Sequence, residues 1–206
     1  MSLRPDLAAI ADMIRPGSRV LDVGCGDGAL LEHLVSTKSV DGRGIEISQA
    51  NVNACVARGM AVVQGDADTD LVDYPAQIFD AVILSQTIQA TEKPKAVLNH
   101  LLRIGRRTAV SLPNFGYWKV RLGLLSGGRM PRTQALGYAW WDTPNIHLCT
   151  LADFVDLTRE CDATIVEAHA VHDSGKTVRI DPAKLTDNYM GPNLFAQGAI
   201  FLLKKS

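Results

Sequence analysis

The chain has 206 residues, 47% of them hydrophobic and 21% charged, with a formal net charge of −1. That length fits one domain with an ample core, and the balance is ordinary for a globular protein. A near-neutral total gives no bulk attraction to nucleic acid or to an anionic membrane and leaves only a local basic patch open. Met1 to Arg15 carries charges throughout and lacks the apolar run of a signal peptide. No stretch reaches the ~18 apolar residues of a membrane span. The cysteines at 25, 55, 149 and 161 form no CxxC pair, so neither a metal site nor a disulfide framework is expected. Reduced, buried thiols in the cytoplasm are the expectation.

Arg19–Val23 is predicted as the first strand. It runs into the glycine-rich turn of Val20-Leu-Asp-Val-Gly-Cys-Gly-Asp-Gly28, and Leu30, Leu31, Leu34 and Val35 then suit the inner face of a helix. Gly42–Ile47 is the second strand. Ser48 is placed to cap a helix with Val52, Cys55 and Val56 inward and a stop at Gly59. Met60–Gln64 and Phe79–Leu84 are the third and fourth strands. Pro94 opens a helix with Val97, Leu98, Leu101 and Leu102 inward, and Thr108–Leu112 is the fifth strand. Short apolar strands alternating with amphipathic helices predict an α/β fold, a mostly parallel sheet with helices on both faces. Pro113 to Thr150 breaks the series. It holds all three tryptophans among its six aromatics and is long for a connection. It reads as an aromatic-rich insertion in a domain spanning 1–206, either a lid or interface or a small satellite core. Thr150 and Asp153 start a further helix. Ala163–Val171 and Gly198–Lys204 are strand-like and are expected to pair antiparallel around the excursion Asp173–Ala196, whose internal structure the sequence does not specify.

The turn is GxGxG, where dinucleotide sites carry GxGxxG. Asp27 within it and Asp22 before it would repel a pyrophosphate and welcome a cation. Glu46, at the end of the second strand, suits both hydroxyls of a ribose. Asp66, after the third strand, suits an adenine amino group. Taken in order, these residues describe adenine, ribose and a cationic amino-acid tail without phosphate, as in S-adenosylmethionine or S-adenosylhomocysteine. A nicotinamide oxidoreductase fits the turn and Asp27 poorly.

On these motifs (VLDVGCGDG, GIEIS, GDA and FDAVILSQTIQ) the chain resembles the class I methyltransferases. The resemblance implies their Rossmann-like fold, a seven-stranded, mostly parallel sheet with one antiparallel strand. It also implies ligand contacts at Asp22, Gly24, Gly26, Glu46, Ile47, Asp66 and Ala67, with Ser85 and Gln86 where the methionine part meets an acceptor and Asp27 reached through water. The segments FDAVILSQTIQAT, SLPNFGYWKVRL, GGRMPRT and WWDTPNIHLCTLADF are similar to the MetW family of methionine biosynthesis proteins. That resemblance implies a role beside homoserine O-acyltransferase as partner.

A sulfonium methyl is already activated, so positioning alone supports transfer and an obvious base is not required. His147 in the aromatic segment is the candidate base, or a histidine bonded to the loop backbone. Tyr138 either orients an acceptor or packs. Two basic groups, Arg103 with Arg106 and Arg107, and Lys119 with Arg121, Arg129 and Arg132, are either solvated or part of a docking surface. Two readings follow. One is a binding and regulatory protein that serves the acyltransferase, with end-product sensing as its extension. The other is a small-molecule methyltransferase.

Overall fold

The computed structural model describes residues 3–133, 136–182 and 190–206. Its eight strands are β1 (Arg19–Val23), β2 (Asp41–Glu46), β3 (Ala61–Gln64), β4 (Ala81–Ser85), β5 (Thr108–Pro113), β6 (Ala163–Val171), β7 (Thr177–Ile180) and β8 (Gly198–Lys205). They form one sheet in the order β3-β2-β1-β4-β5-β8-β6-β7. The first five strands of that chain order pair in parallel, β8 runs antiparallel between β5 and β6, and β7 antiparallel on the outer edge.

Alternation along the strands sorts the core into two layers. Val20, Ala81, Ile83, Ala109, Ile200 and Leu202 face α1 (Pro5–Met13) and α2 (Ala29–Lys38), meeting Ile10, Ile14, Leu30 and Leu34. Leu21, Val23, Val82, Leu84, Val110, Leu112 and Phe201 face α4 (Pro94–Ile104) and α6 (Leu151–Glu160), meeting Val97, Leu98, Leu101 and Phe154. Phe154 and Phe201 stack with ring centroids 4.9 Å apart, a contact worth ~0.5–1.5 kcal/mol beyond the area it buries. A reciprocal cap starts α6: Thr150 Oγ1 accepts from the Asp153 N–H at 3.2 Å, and Asp153 Oδ2 accepts from the Thr150 N–H at 2.8 Å.

Several expectations need correction. The sheet has eight strands rather than seven, and two of them oppose the parallel set. The added strand, β7, folds from the excursion after Asp173. That excursion also holds the helix α7 (Met190–Phe195), while 183–189 lie outside the described residues. The aromatic segment contains a ten-residue helix, α5 (Trp118–Gly127). Val35 and Val56, expected inward, are exposed. Ser48 stands before α3 (Gln49–Ala57) without a side-chain cap; its N–H donates to Glu46 Oε1 at 2.9 Å. The basic residues near 103–107 do not join those of the aromatic segment. Arg103 donates to the carbonyls of Leu71, at 2.8 Å, and Tyr74. Arg106 and Arg107 precede β5, whereas the aromatic segment leaves its far end.

Between β3 and β4 the chain forms no α-helix. It makes one 3-10 turn, Asp70–Asp73, which Arg103 holds by those carbonyls.

Candidate ligand-binding site

The site forms where β1, β2 and β4 end. Leaving β1, the Gly24 N–H donates to the Ile45 carbonyl at 2.8 Å and the Cys25 N–H to the same oxygen at 3.2 Å, so the turn crosses the end of β2. Two of its glycines are sterically required. Gly24 has φ +69° and a Cβ there would lie 2.8 Å from Thr87 Oγ1; Gly28 has φ +79° and a Cβ there would lie 2.8 Å from Cys55 Sγ. Gly26 differs in its surroundings: a Cβ there would meet nothing within 4 Å, so this part of the turn is open to an approaching ligand.

Two carboxylates lie under the turn. Glu46 is only 6% exposed; its Oε2 accepts from the Gly26 N–H at 2.8 Å and its Oε1 from Ser48. It therefore braces the turn, and each oxygen keeps a second lone pair for a hydroxyl donor. Asp22 is 2% exposed, and its Oδ1 has no hydrogen-bond partner. Burial pushes the Asp22 carboxyl up to about 7, the Glu46 charge adds to the rise, and Arg4 opposes it. An orphaned, buried carboxylate oxygen is costly unless something donates to it, and a cationic ligand group would.

Beside the turn is a cleft of about 250 Å³. Gly24, the strand-end residues Ile47, Asp66 and Ala67, the turn residues Thr87 and Ala90, and Ile146 of the aromatic segment line it, whereas Asp22, Gly26 and Glu46 do not. Ile47 is exposed and offers an apolar wall for a flat ring. Asp66 accepts from the Asp68 N–H through Oδ1 at 2.9 Å and leaves its other oxygen for a donor. Asp68 in turn accepts from the N–H groups of Glu92 and Lys93 at 2.8 and 2.9 Å, fixing the cleft to the start of α4. Asp27 pairs with Arg58 at 3.2 Å and accepts from the Ala29 N–H at 3.3 Å. The open Gly26, the orphaned Asp22 oxygen, the spare lone pairs of Glu46 and Asp66 and the bare Ile47 together fit a ligand with a cationic tail, a diol and a flat amino-bearing ring.

A second cleft of about 510 Å³, mixed polar and apolar in its lining, adjoins this one at the ends of β4 and β5. Gln86, Gln89, Tyr138, Asn145 and Gln197 line it, with Arg4 and Asp6 of the amino-terminal segment. Ser85 lies behind, its Oγ within 3.0 Å of Ser111 Oγ and 3.4 Å from Asp6 Oδ2. Of the two catalytic candidates, Tyr138 lines this cleft and is exposed. His147 is exposed, lines neither cleft, and holds its place by donating its backbone N–H to the Gln89 carbonyl at 2.9 Å. Sequence reasoning missed Thr87, Gln89 and Ile146, and also α1, which brings Arg4 and Asp6 to the site. The signal for α1 was present in Pro5 followed by Leu7, Ile10, Ala11 and Ile14 at helical spacing. Gln89 and Ile146 lie in segments with no motif or helical spacing, and carry no such signal.

Among the described residues no helix is long and apolar enough to cross a membrane. A SAM-dependent methyltransferase from Thermotoga maritima has the same fold, with a TM-score of 0.69 at 15% identity over 98% of this chain and 88% of that one. A fatty-acid O-methyltransferase of Mycolicibacterium smegmatis is 32% identical over 104 residues, 48% of this chain and 36% of that protein. The bifunctional methionine biosynthesis protein MetXA/MetW of Rhodopirellula baltica is 34% identical over 209 residues, 97% of this chain. This chain spans 32% of the length of that relative, about a third. The family model of the methionine biosynthesis protein MetW matches residues 4–203. With nearly its whole length matched, a Rossmann-like methyltransferase sheet and a glycine-rich turn over two buried carboxylates, the chain belongs to the MetW family of methionine biosynthesis proteins.

Proposed function

We propose that this chain binds S-adenosylmethionine in the 250 Å³ cleft and acts with homoserine O-acyltransferase in methionine biosynthesis, docking through its aromatic segment. The observation that carries the ligand is Asp22, a buried carboxylate with a partnerless oxygen at the end of β1, two residues before Gly24 of the cleft wall. A cationic ammonium near Asp22 offsets its burial. Glu46 and Asp66 accept from ribose and adenine, and Ile47 covers a ring face. When bound, S-adenosylmethionine supplies a methyl group activated by its sulfonium. The partner is supported by the relative whose name joins MetXA and MetW in one chain. The docking surface is supported by Trp140 and Trp141, each 72% exposed and stacked edge to face at 5.7 Å. The test is a pull-down of purified acyltransferase followed by its assay with and without S-adenosylmethionine. Co-purification with an altered rate is expected; no complex and no change in rate would defeat the reading.

The 510 Å³ cleft lined by Gln86 and Tyr138 favours a second reading, a small-molecule methyltransferase. Transfer of a labelled methyl group to a metabolite of the pathway would establish it, and none across the pathway would remove it.

A further inference from the structure

The aromatic segment forms a groove of about 220 Å³ whose wall includes Met130, Pro131, Tyr138, Trp140 and Leu148. One more side chain in that wall, Ile146, also lines the 250 Å³ cleft. It is 59% exposed, so a ligand in the cleft and an apolar knob in the groove would cover its two sides. We infer that filling the cleft and docking the acyltransferase on the groove are positively coupled through Ile146. The inference rests on the function proposed above and adds to it a regulatory link.

Three observations carry the coupling. First, the chain around Ile146 runs outside helix and strand and is held to the rest of the molecule by few bonds: the N–H groups of Ile146 and His147 both donate to the Gln89 carbonyl at 2.9 Å, and the Cys149 carbonyl accepts from the Phe115 N–H at 3.2 Å. Second, that carbonyl belongs to the short turn 87–90, which is packed against the glycine turn. Thr87 fills the space a Cβ at Gly24 would need, Ala90 lines the cleft, and Gln89 is itself buried, with its Nε2 donating to the Gln86 carbonyl at 2.7 Å. The wall of the groove and the floor of the cleft thus hang on the same turn. Third, charge favours a specific kind of occupant. Residues 113–150 hold four Lys or Arg against one Asp; Lys119 pairs with Asp173 and Arg121 donates to the Gly116 carbonyl, while Arg129 and Arg132 flank Met130 and Pro131 of the groove wall in sequence, and Arg132 lies over the Trp141 ring at 6.0 Å. Such a groove fits an apolar side chain rimmed by carboxylates, and we commit to a surface of that kind on the acyltransferase as its occupant.

The sign follows from shared geometry. A segment held by few bonds samples other positions. A ligand that adds apolar contact to Ile146 from the cleft favours the position in which Ile146 also completes the groove. Each occupant then lowers the cost of ordering the segment for the other, and the factor is reciprocal. Coupling of this kind changes affinity by roughly 5- to 150-fold.

The test is a four-sided binding cycle by calorimetry on the full chain, with S-adenosylmethionine and purified homoserine O-acyltransferase. Each binary Kd is measured first, then the Kd for each in saturating amounts of the other. We expect both to tighten by the same factor, about fivefold or more. Ile146→Ala should bring that factor toward one, while Ile146→Val should keep most of it. A factor of one in the native chain, with both binary complexes present, overturns the coupling and leaves the proposed function standing. An unchanged factor in Ile146→Ala also overturns it. Failure of either binary complex to form overturns the proposed function and the coupling together.

Discussion

Around Gly24 to Gly28 the chain is packed against itself: Thr87 and Cys55 occupy the space glycine leaves, and Asp22 and Glu46 lie almost wholly out of water. Between Met130 and Leu148 the reverse holds. Six large apolar residues (Met130, Tyr138, Trp140, Trp141, Ile146 and Leu148) are exposed there, and among the described residues of that stretch none is in a helix or strand. The first region suits a small ligand, because binding needs polar groups fixed beforehand. The second suits a macromolecule, because broad apolar area with aromatic anchors gains most when a large surface covers it. One chain therefore presents two kinds of recognition site, and substitutions should separate them.

The largest effect is expected on the aromatic side. Trp140→Ala combined with Trp141→Ala should weaken the acyltransferase complex by about 4 kcal/mol or more, two hot-spot residues' worth. Stability by urea titration should change by no more than about 0.5 kcal/mol, as for exposed positions. A stability loss as large as the affinity loss would make these residues a satellite core. On the glycine side, Gly24→Ala should cost ~1–2 kcal/mol for the left-handed backbone and a further ~1–3 kcal/mol for the contact with Thr87. Thr87→Ala in the same chain should recover the second part only. Both variants should be compared by denaturation midpoint. Glu46→Ala is expected to weaken S-adenosylmethionine binding by ~1–3 kcal/mol, measured by calorimetry. Smaller still is Val56→Ser, within about 0.5 kcal/mol in thermal unfolding, because Val56 is 57% exposed despite its place in the helical pattern.

Asp22 gives the comparison a pH axis. Its carboxyl lies at about 7, above its ordinary value of 3.8. In the ligand-free protein its contribution to stability is therefore full below about pH 4 and is lost as pH rises through about 7. Asp22→Asn should raise the melting temperature of the free protein at pH 8, with the gap closing toward pH 4. For the ligand the sign reverses. A cation favours the ionised carboxyl, so affinity should fall below pH 7 by up to about tenfold per pH unit in the native chain and stay flat in the variant. Calorimetry across pH checks both signs. Docking at the aromatic segment should be insensitive to Asp22 when no ligand is present.

Much of the packed half was legible in the sequence because its logic is local. β1 and β6 have the bounds their strand-like apolar runs predict, and α4 buries the four residues that the 3.6-residue period selects. The Thr150 cap needs only the spacing of two residues. The exposed half was harder to read for a physical reason. Leu122, Leu124 and Leu125 of α5 all face out, so that helix has no apolar stripe to betray it. β7 is a four-residue edge strand whose pairing depends on β6, not on a pattern of its own. Within the site, Gly24 and Asp66 follow from motif order and Ile47 and Ala67 from the family resemblance, and all four line one cleft. Gln89 could not have been chosen that way, since the bond that holds Ile146 and His147 uses its backbone carbonyl, which any residue type offers.

The single 3-10 turn between β3 and β4, hung on Arg103, has a consequence for how the molecule breathes. Where a full helix would blanket the sheet, β3 is left at the edge with Val63 bare, sharing an open cleft with the less exposed Ile78. Little apolar area is lost when that corner lifts away, so its amides should exchange with deuterium ahead of those in β1, β4 and β5. Asp66 and Ala67 sit at the end of the same strand. A ligand resting on them would fasten the loosest corner of the sheet, and slowed exchange at Ala61–Gln64 would report occupancy of the cleft from outside it.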